Sequence, residues 1–226
     1  MEPGFDPGAI KVFIFDVNGV LVDSNRANAD AMGEAFTGDP DLRRRIAGLY
    51  LELTGIDRGT KIRTIQEKLI GKPFAEGEFE LRWDNFRRLG RSSMSGAPLV
   101  EGCREVLAEL GRRKQLRAAL SNTPEAELLE ILTARGLRPL LDIVRGGGNR
   151  PKSESLSDFL AEFGFDPRTC VFLGDGKGDL AAARHSGVPF FGIDPGVGEF
   201  RGENDLLGRF RDLAEWGRLV LGMDLE

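Results

Sequence analysis

An acidic residue stands directly after a strand-like apolar run near the start of the chain. The stretch "VFIFDVNGVLVDS", residues 12–24, runs into Asp16, with Asn18 two residues later and Asp23 beyond it. A carboxylate in this position can ligate a cation or attack a phosphoryl group. Asn18 occupies the place where a second carboxylate would complete an acid-base pair. Its amide neither gives nor takes a proton near neutral pH.

Three other segments carry polar side chains at comparable places. Ser121 and Asn122 end the run "LRAALS" and begin the next loop, Asp175 follows "CVFLG" with Asp179 four residues on, and Lys152 precedes a helical pattern. Oxygen ligands suit Mg²⁺, which commonly combines one or two carboxylates with a substrate phosphate. Lys152 would add a positive charge, and Ser121 a hydroxyl donor. If these groups meet, we expect a Mg²⁺ site that takes an anionic substrate.

The predicted strands and helices that must bring these polar side chains together alternate along the chain. Short β-branched and aromatic runs predict strands at 10–15, 116–121, 140–145, 170–175 and 188–194. Amphipathic patterns between them predict helices. This alternation indicates an α/β fold with a doubly wound, mainly parallel sheet, in which ligands bind beyond the carboxyl ends of the strands.

Residues 25–95 interrupt that alternation with helical patterns only. One carries Ile62 and Ile65, and another carries an aromatic stripe interpreted as core, namely Phe79, Trp83 and Phe86. We therefore expect an α/β core domain of residues 1–22 and 96–226 with an inserted all-helical cap domain of residues 23–95. "SSMSGAP" at 92–98 is predicted as a linker, and 209–222 as a closing helix.

Composition narrows the function classes. The formal net charge of −5 argues against a nucleic-acid partner, and no apolar run approaches the ~20 residues that span a bilayer. The first residues lack the apolar segment of a signal peptide, so we expect a cytoplasmic protein without a membrane partner. Cys103 and Cys170 are predicted to be buried free thiols, and His185, the sole histidine, excludes a multi-histidine metal site. The sequence does not predict the oligomeric state.

The ordered motifs resemble those of the haloacid dehalogenase-like (HAD) hydrolases. "FDVNGVLVDS" matches the family's D-x-D-G-x-L-x-D-S at all but one fixed position, and "LSNTP", "RPKSES" and "LGDGKGD" match its later motifs in order. The resemblance runs from about residue 11 to the last helix. It implies a Rossmann-like core with a helical C1 cap, as in the phosphoglycolate phosphatase and β-phosphoglucomutase-like subgroup.

The resemblance also implies roles for the matching residues. Asp16 would be the nucleophile and a Mg²⁺ ligand, Asp175 a second ligand, and the backbone carbonyl of Asn18 a third. Asp179 would support the metal or Lys152. Ser121, Asn122 and Lys152 would bind the phosphoryl group of a small phosphorylated metabolite.

Asn18 departs from the family pattern, because phosphatases of this kind carry an acid-base aspartate there. Four explanations stay open: a phosphatase with another proton source, a phosphonate- or halide-cleaving relative, a catalytically silent binding protein, or an engineered exchange. Phosphonate cleavage in the family uses a cap lysine as a Schiff base, for which Lys61, Lys68 and Lys72 are possible. Halide displacement needs no Mg²⁺, so the Asp175 and Asp179 pair argues against it.

Overall fold

A computed structural model describes residues 5–148 and 150–225 of the protein. Six strands lie in that part of the chain: β1 Val12–Phe15, β2 Leu116–Ser121, β3 Ile143–Gly146, β4 Cys170–Gly174, β5 Phe190–Ile193 and β6 Gly208–Phe210. They form one parallel sheet in the order β3-β2-β1-β4-β5-β6. The connections reverse direction between β1 and β4, which opens a crevice beyond the carboxyl ends of these two strands. The predicted doubly wound sheet is confirmed.

The helices form two groups along the chain. The first group follows β1 and lies within residues 25–96: α1 Asn25–Phe36, α2 Pro40–Glu52, α3 Arg58–Ile65, continued by a π-helical turn, and α4 Glu78–Gly96. The others are α5 Cys103–Arg112, α6 Glu125–Ala134, α7 Lys152–Phe163, α8 Lys177–Ser186 and α9 Leu213–Leu221. The second group covers both faces of the sheet.

Strand β1 supplies apolar side chains to both faces. Val12 and Ile14 belong to the cluster beneath α7 and α8, while Phe13 and Phe15 belong to the cluster beneath α5, α6 and α9. All four side chains are fully buried. The continuous apolar run in the sequence therefore reflects a central strand covered on both sides.

Helices α1 to α4 pack around a separate apolar cluster that includes Met32, Ile46, Ile62 and Phe86. Phe79 and Trp83 pack against this cluster, so the aromatic stripe is core, as predicted. The chain enters and leaves this helical segment side by side. The Asp23 N–H donates to the Pro98 carbonyl at 2.9 Å, and the Val100 N–H to the Leu21 carbonyl at 3.1 Å. The division into two domains stays a prediction.

Two local predictions are wrong. The expected linker at 92–98 is largely the end of α4, where Met94 is buried and the Ser93 and Ser95 hydroxyls donate to carbonyls four residues earlier. These back-bonds make serine compatible with a helix. The expected closing helix at 209–222 is instead divided into β6 and α9. Helix α9 is capped by the Asp212 side chain, which accepts from the Glu215 N–H at 2.7 Å.

Other expectations hold. Cys103 and Cys170 are buried free thiols. His185 is exposed in the last turn of α8, which ends at a left-handed Gly187. Within residues 5–148 and 150–225, no helix is both long and apolar enough to cross a membrane.

Candidate active site

Strand β1 ends by placing Asp16 in the crevice between β1 and β4. The Asp16 N–H donates to the Leu173 carbonyl at 2.9 Å, so the backbone pairing with β4 continues through this residue. The whole residue is only 4% exposed. A buried carboxylate at the crevice of a parallel sheet is well placed to react with a ligand or to bind a cation.

The loop after Asp16 is shaped by Gly19 and Asn18. Gly19 has φ +80°, and a Cβ there would lie 2.1 Å from Oδ2 of Asp175, so a larger residue would collide with that carboxylate. The Asn18 side-chain oxygen accepts from the Ser24 hydroxyl at 2.8 Å and from Nδ2 of Asn28 at 3.2 Å. Both partners could donate equally to a carboxylate at position 18.

Strand β4 and the start of α8 supply Asp175 and Asp179. Oδ2 of Asp179 accepts from the backbone N–H groups of Asp175 and Gly176, at 3.2 and 3.1 Å. Its other oxygen, Oδ1, lies 2.6 Å from Nζ of Lys152. Both oxygens of Asp179 therefore have protein partners, which suits a supporting role better than direct metal ligation.

Lys152 begins helix α7 and joins two of the carboxylates. Its Nζ lies 2.8 Å from Oδ1 of Asp16 and 2.6 Å from Oδ1 of Asp179, with the Lys152 side chain 3% exposed. Burial alone lowers the pKa of a lysine, but here the Asp16 and Asp179 carboxylates outweigh burial and hold the pKa of Lys152 above its ordinary value. Lys152 is therefore a permanent positive charge.

The three aspartates form an oxygen cluster that fits a divalent cation. Each offers a carboxylate oxygen within 4.8 Å of the others. Burial raises the pKa of Asp16 to about 6, with Lys152 opposing and Asp179 adding to the shift. Burial and then the charges of Asp16 and Asp179 raise the pKa of Asp175 well above its usual range. Oδ1 of Asp175 is buried without a hydrogen-bond partner among the described residues, and a hard cation would satisfy it.

Ser121 is the last residue of β2 and Asn122 follows it, and the two differ in whether they line the cavity. Ser121 is 1% exposed, and its hydroxyl oxygen accepts from the Thr123 N–H at 3.2 Å. The cavity above Asp16 is lined by Asn122 and Thr123 but not by Ser121. Asn122 donates from Nδ2 to the Gly55 carbonyl at 3.0 Å, which links the sheet edge to the helical segment.

The helical segment closes the cavity from above. The loop at Thr54 and Gly55 lies directly on the glycines that begin α8. A Cβ at Gly178 would lie 2.5 Å from the Gly55 carbonyl, and one at Gly176 would lie 2.6 Å from the Thr54 carbonyl carbon. Residues of the sheet edge and of the helical segment line one cavity.

Comparison with known proteins agrees with this geometry. The family model described as haloacid dehalogenase-like hydrolase matches residues 10–187, which spans β1, the helical segment and α8. The protein belongs to the haloacid dehalogenase-like hydrolases. The family predicted from the ordered motifs is therefore confirmed.

Curated phosphoglycolate phosphatases are among the proteins similar to this chain. The one from Synechococcus elongatus is 30% identical over 183 residues, covering 79% of this chain and 81% of that protein. One from Haemophilus influenzae is 26% identical over 196 residues, covering 82% and 86%. The similarity therefore extends over most of both chains.

Solved structures of other proteins share the fold. A hydrolase from Pseudomonas syringae has a TM-score of 0.77 at 18% identity, covering 95% of this chain and 100% of that chain. CbbY from Rhodobacter sphaeroides, solved in complex with phosphate, has a TM-score of 0.73 at 20% identity, covering 92% and 96%. At such identities, the likeness shows the fold alone.

The sequence analysis missed an ion pair that lines the cavity. Arg58 of α3 pairs with Glu127 of α6 at 3.0 Å, with both side chains less than 9% exposed. The Arg58 guanidinium also lies over the rings of Trp83 and Phe86, at 5.1 and 4.9 Å. Nothing in the local pattern around either residue indicates this pair, because its members are 69 positions apart.

The three lysines that the sequence analysis considered for the helical segment differ in their exposure. Lys61 is 8% exposed and lines the cavity, whereas Lys68 and Lys72 are exposed. Nζ of Lys61 lies 3.9 Å from the centre of the Tyr50 ring. Burial lowers the pKa of Lys61 to about 8, while the Asp175 and Asp16 carboxylates oppose that shift. Lys61 is therefore the lysine of the three that can reach a bound ligand.

Proposed function

We propose that the protein is a Mg²⁺-dependent phosphatase that hydrolyses a small phosphate monoester through an aspartyl-phosphate at Asp16. The observation that carries this proposal is the convergence of Asp16, Asp175 and Lys152 at the switch point of the sheet. Membership of the HAD-like hydrolases and similarity to phosphoglycolate phosphatases support the same reaction class.

Asp16 is the nucleophile in this proposal. Its carboxylate forms a bond to phosphorus as the ester oxygen leaves, and water later attacks the phosphoryl group and releases phosphate. Lys152 keeps Asp16 ionised and oriented, and its positive charge stabilises the phosphoryl oxygens. Ser121 and Asn122 are proposed to hydrogen-bond the phosphoryl group, which requires Ser121 to turn towards the cavity.

Mg²⁺ is proposed to bind to Asp16, Asp175 and the backbone carbonyl of Asn18, with Asp179 as a supporting residue. When bound, it would offset the mutual repulsion of the carboxylates and neutralise charge on the phosphoryl group. Only a backbone oxygen is needed from position 18, so the amide side chain does not hinder this binding.

Residues 23–95 are proposed to act as a cap over the site. The contacts at Gly55 and Gly178 and the buried Arg58 and Glu127 pair join the cap to the core. Closure would exclude water while the ester bond breaks. Substrate would then enter when these contacts separate.

The similar proteins suggest which substrate should be tested first. Phosphoglycolate, which the names of these relatives give as a substrate, is a small anionic metabolite that suits a cavity lined by the buried cations Arg58, Lys61 and Lys152. A cytoplasmic location also stays a prediction.

Asn18 supports a second candidate, a catalytically silent protein that binds a phosphorylated ligand. Loss of general acid-base help typically costs about 10²–10⁴-fold in rate. The third possibility, phosphonate cleavage through an imine, rests on the buried amine of Lys61. Borohydride trapping of a carbonyl-bearing phosphonate on Lys61 would favour that reaction over ester hydrolysis.

The decisive experiment measures Mg²⁺-dependent phosphate release from para-nitrophenyl phosphate and phosphoglycolate. We expect turnover in the native protein that Asp16→Asn abolishes, since this variant keeps the side-chain shape but not the nucleophile. Turnover that appears only in Asn18→Asp would instead favour the silent protein. Asn18→Asp is expected to fold normally, because Ser24 and Asn28 can donate to either side chain.

A further inference from the structure

The active site lacks a proton donor at the position where the HAD-like motif departs from its pattern. The oxygen of Asn18 already accepts from Ser24 and Asn28, which leaves its NH₂ group for the cavity. That group can donate a hydrogen bond but cannot release a proton to an alkoxide. An efficient phosphatase of this sequence therefore needs another acid within the same cavity.

Lys61 is the buried cation of the cavity that has no carboxylate partner. Lys152 is paired with Asp16 and Asp179, and Arg58 is paired with Glu127. Among residues 5–148 and 150–225, no carboxylate lies within 4.0 Å of the Lys61 amine. Its nearby group is the face of the Tyr50 ring. An ammonium buried without a counterion gains most from a ligand that brings negative charge.

We propose that Lys61 is the acid and base of the hydrolytic reaction, in place of the residue at position 18. This inference rests on the proposed phosphatase function. Lys61 stands on the helical segment and Asp16 on the sheet edge, and both line one cavity. A phosphoryl group attacked by Asp16 therefore directs its leaving oxygen away from the sheet, towards the segment that carries Lys61.

The charges around Lys61 suit this role. Burial lowers the pKa of Lys61 to about 8; the carboxylates of Asp175, Asp16 and Asp179 raise it, and Lys152 lowers it. Burial also raises the pKa of Tyr50, so the neighbouring ring carries no charge at neutral pH. Arg58 on the same helix is neutralised by Glu127 of α6. An acid with a pKa near the working pH can both give and regain a proton.

The proton balance has two steps. As Asp16 bonds to phosphorus, the P–O ester bond breaks, and the leaving oxygen takes a proton from the Lys61 ammonium. The neutral amine then accepts a proton from the water that attacks the aspartyl-phosphate. Phosphate leaves, and both Asp16 and Lys61 return to their starting states.

The test compares Lys61→Met and Lys61→Arg with Lys68→Met, which removes an exposed lysine from the same helical segment. Two substrates separate the steps: an alkyl phosphate, whose leaving oxygen needs a proton, and para-nitrophenyl phosphate, whose leaving oxygen does not. In a single turnover, both Lys61 variants should lose about 10²-fold or more on the alkyl ester. They should form the phosphorylated enzyme normally from the aryl ester.

Three readouts identify the proton transfer. Lys61 variants should accumulate a phosphoryl adduct, seen by intact mass, because water attack is also slowed. The basic limb of the native pH profile, near pH 8, should disappear, and an NMR titration of the lysine ¹³Cε signals should find the same ionisation. Asn18→Asp should restore turnover in the Lys61→Met protein.

Other outcomes would overturn the proposal. Full activity in Lys61→Arg, whose guanidinium does not release a proton, or a rise in KM alone with unchanged kcat, would make Lys61 only a charge for substrate binding. Native turnover that depends on Asp16 but not on Lys61 would reject the proposal while keeping the phosphatase function. Turnover that survives Asp16→Asn would instead reject the phosphatase function itself.

Discussion

Nζ of Lys152 lies 2.8 Å from Oδ1 of Asp16, and both side chains are almost completely buried. The same amine lies 2.6 Å from Asp179, so one positive charge serves two carboxylates. A buried charge set of this kind depends on all its members. Removing one member leaves the others without compensation.

Lys152→Met should therefore destabilise the metal-free protein at neutral pH by about 3–5 kcal/mol. Without Lys152, the pKa of Asp16 rises further, so protonation at lower pH should relieve part of the loss. Urea unfolding at pH 5 and pH 7.5 measures both effects. Lys177→Met removes an exposed lysine near the site and should change stability little. Equal losses in the two variants would contradict the role given to Lys152.

Asp175→Asn should stabilise the metal-free protein at neutral pH. The pKa values of Asp175 and Asp16 are raised in the folded state, to about 6 for Asp16. A carboxyl whose folded pKa is raised favours folding at low pH and loses that advantage as pH rises through the folded pKa. Asp175→Asn removes the cost of charging this buried carboxyl, so we expect the variant to have the larger free energy of unfolding at neutral pH.

The measurement is the difference in unfolding free energy between Asp175→Asn and the native protein from pH 4 to pH 8. The difference should grow as pH rises across this range, because the Asp175 carboxyl of the native protein must then become charged while buried. Mg²⁺ should raise the melting temperature of the native protein, less so below pH 6, and should hardly affect the variant. A native protein that is insensitive to Mg²⁺ at pH 7.5 would contradict the proposed metal site.

Two ion pairs join the helical segment to α6 and allow a matched comparison. Arg58 and Glu127 are buried, whereas Arg91 and Glu130 are 60% and 51% exposed. Glu127→Gln should cost about 3 kcal/mol, because it leaves a buried guanidinium without its counterion. Glu130→Gln should cost less than about 1 kcal/mol. Thermal unfolding of both variants tests this, and similar melting temperatures would show that Arg58 is relieved in another way.

The sheet and the polar strand ends could be predicted because they depend on local sequence. Strand β1 is a continuous apolar run, and its carboxyl end coincides with Asp16, so the fold class and the convergence of Asp16, Asp175 and Lys152 followed from topology alone. Strand β6 was missed because it has three residues, of which only Phe210 is buried. Its pairing with β5 at the sheet edge, rather than its own pattern, makes it a strand.

The cavity side of the helical segment could not be predicted, since it depends on how that segment meets the sheet. The sequence offered Lys61, Lys68 and Lys72 as possible cap lysines, and nothing in its pattern distinguished Lys61 from the other two. The structure buries Lys61, on the side that faces the cavity. Similarly, Ser121 was placed at the right strand end, but its distance from the cavity wall depends on the loop that follows.

Because Gly178 contacts Gly55, we expect a glycine-to-alanine substitution there to have a different effect from the one that helix propensity predicts. Alanine normally stabilises an exposed helical position relative to glycine by up to about 1 kcal/mol. Gly48→Ala in α2, where an added Cβ meets nothing within 4 Å, should show that gain. Gly178→Ala in α8 places its Cβ 2.5 Å from the Gly55 carbonyl, so the loop of the helical segment must move away.

We therefore expect Gly178→Ala to raise KM and lower kcat/KM, and to speed hydrogen exchange in residues 54–58, while Gly48→Ala leaves all three unchanged. The physical reason is that backbone on both sides of the contact leaves no flexible side chain to yield. Since Asn122 also holds the Gly55 carbonyl, Asn122→Ala should accelerate exchange in the same residues. Normal kinetics and exchange in Gly178→Ala would mean that closure of the cavity does not depend on this contact.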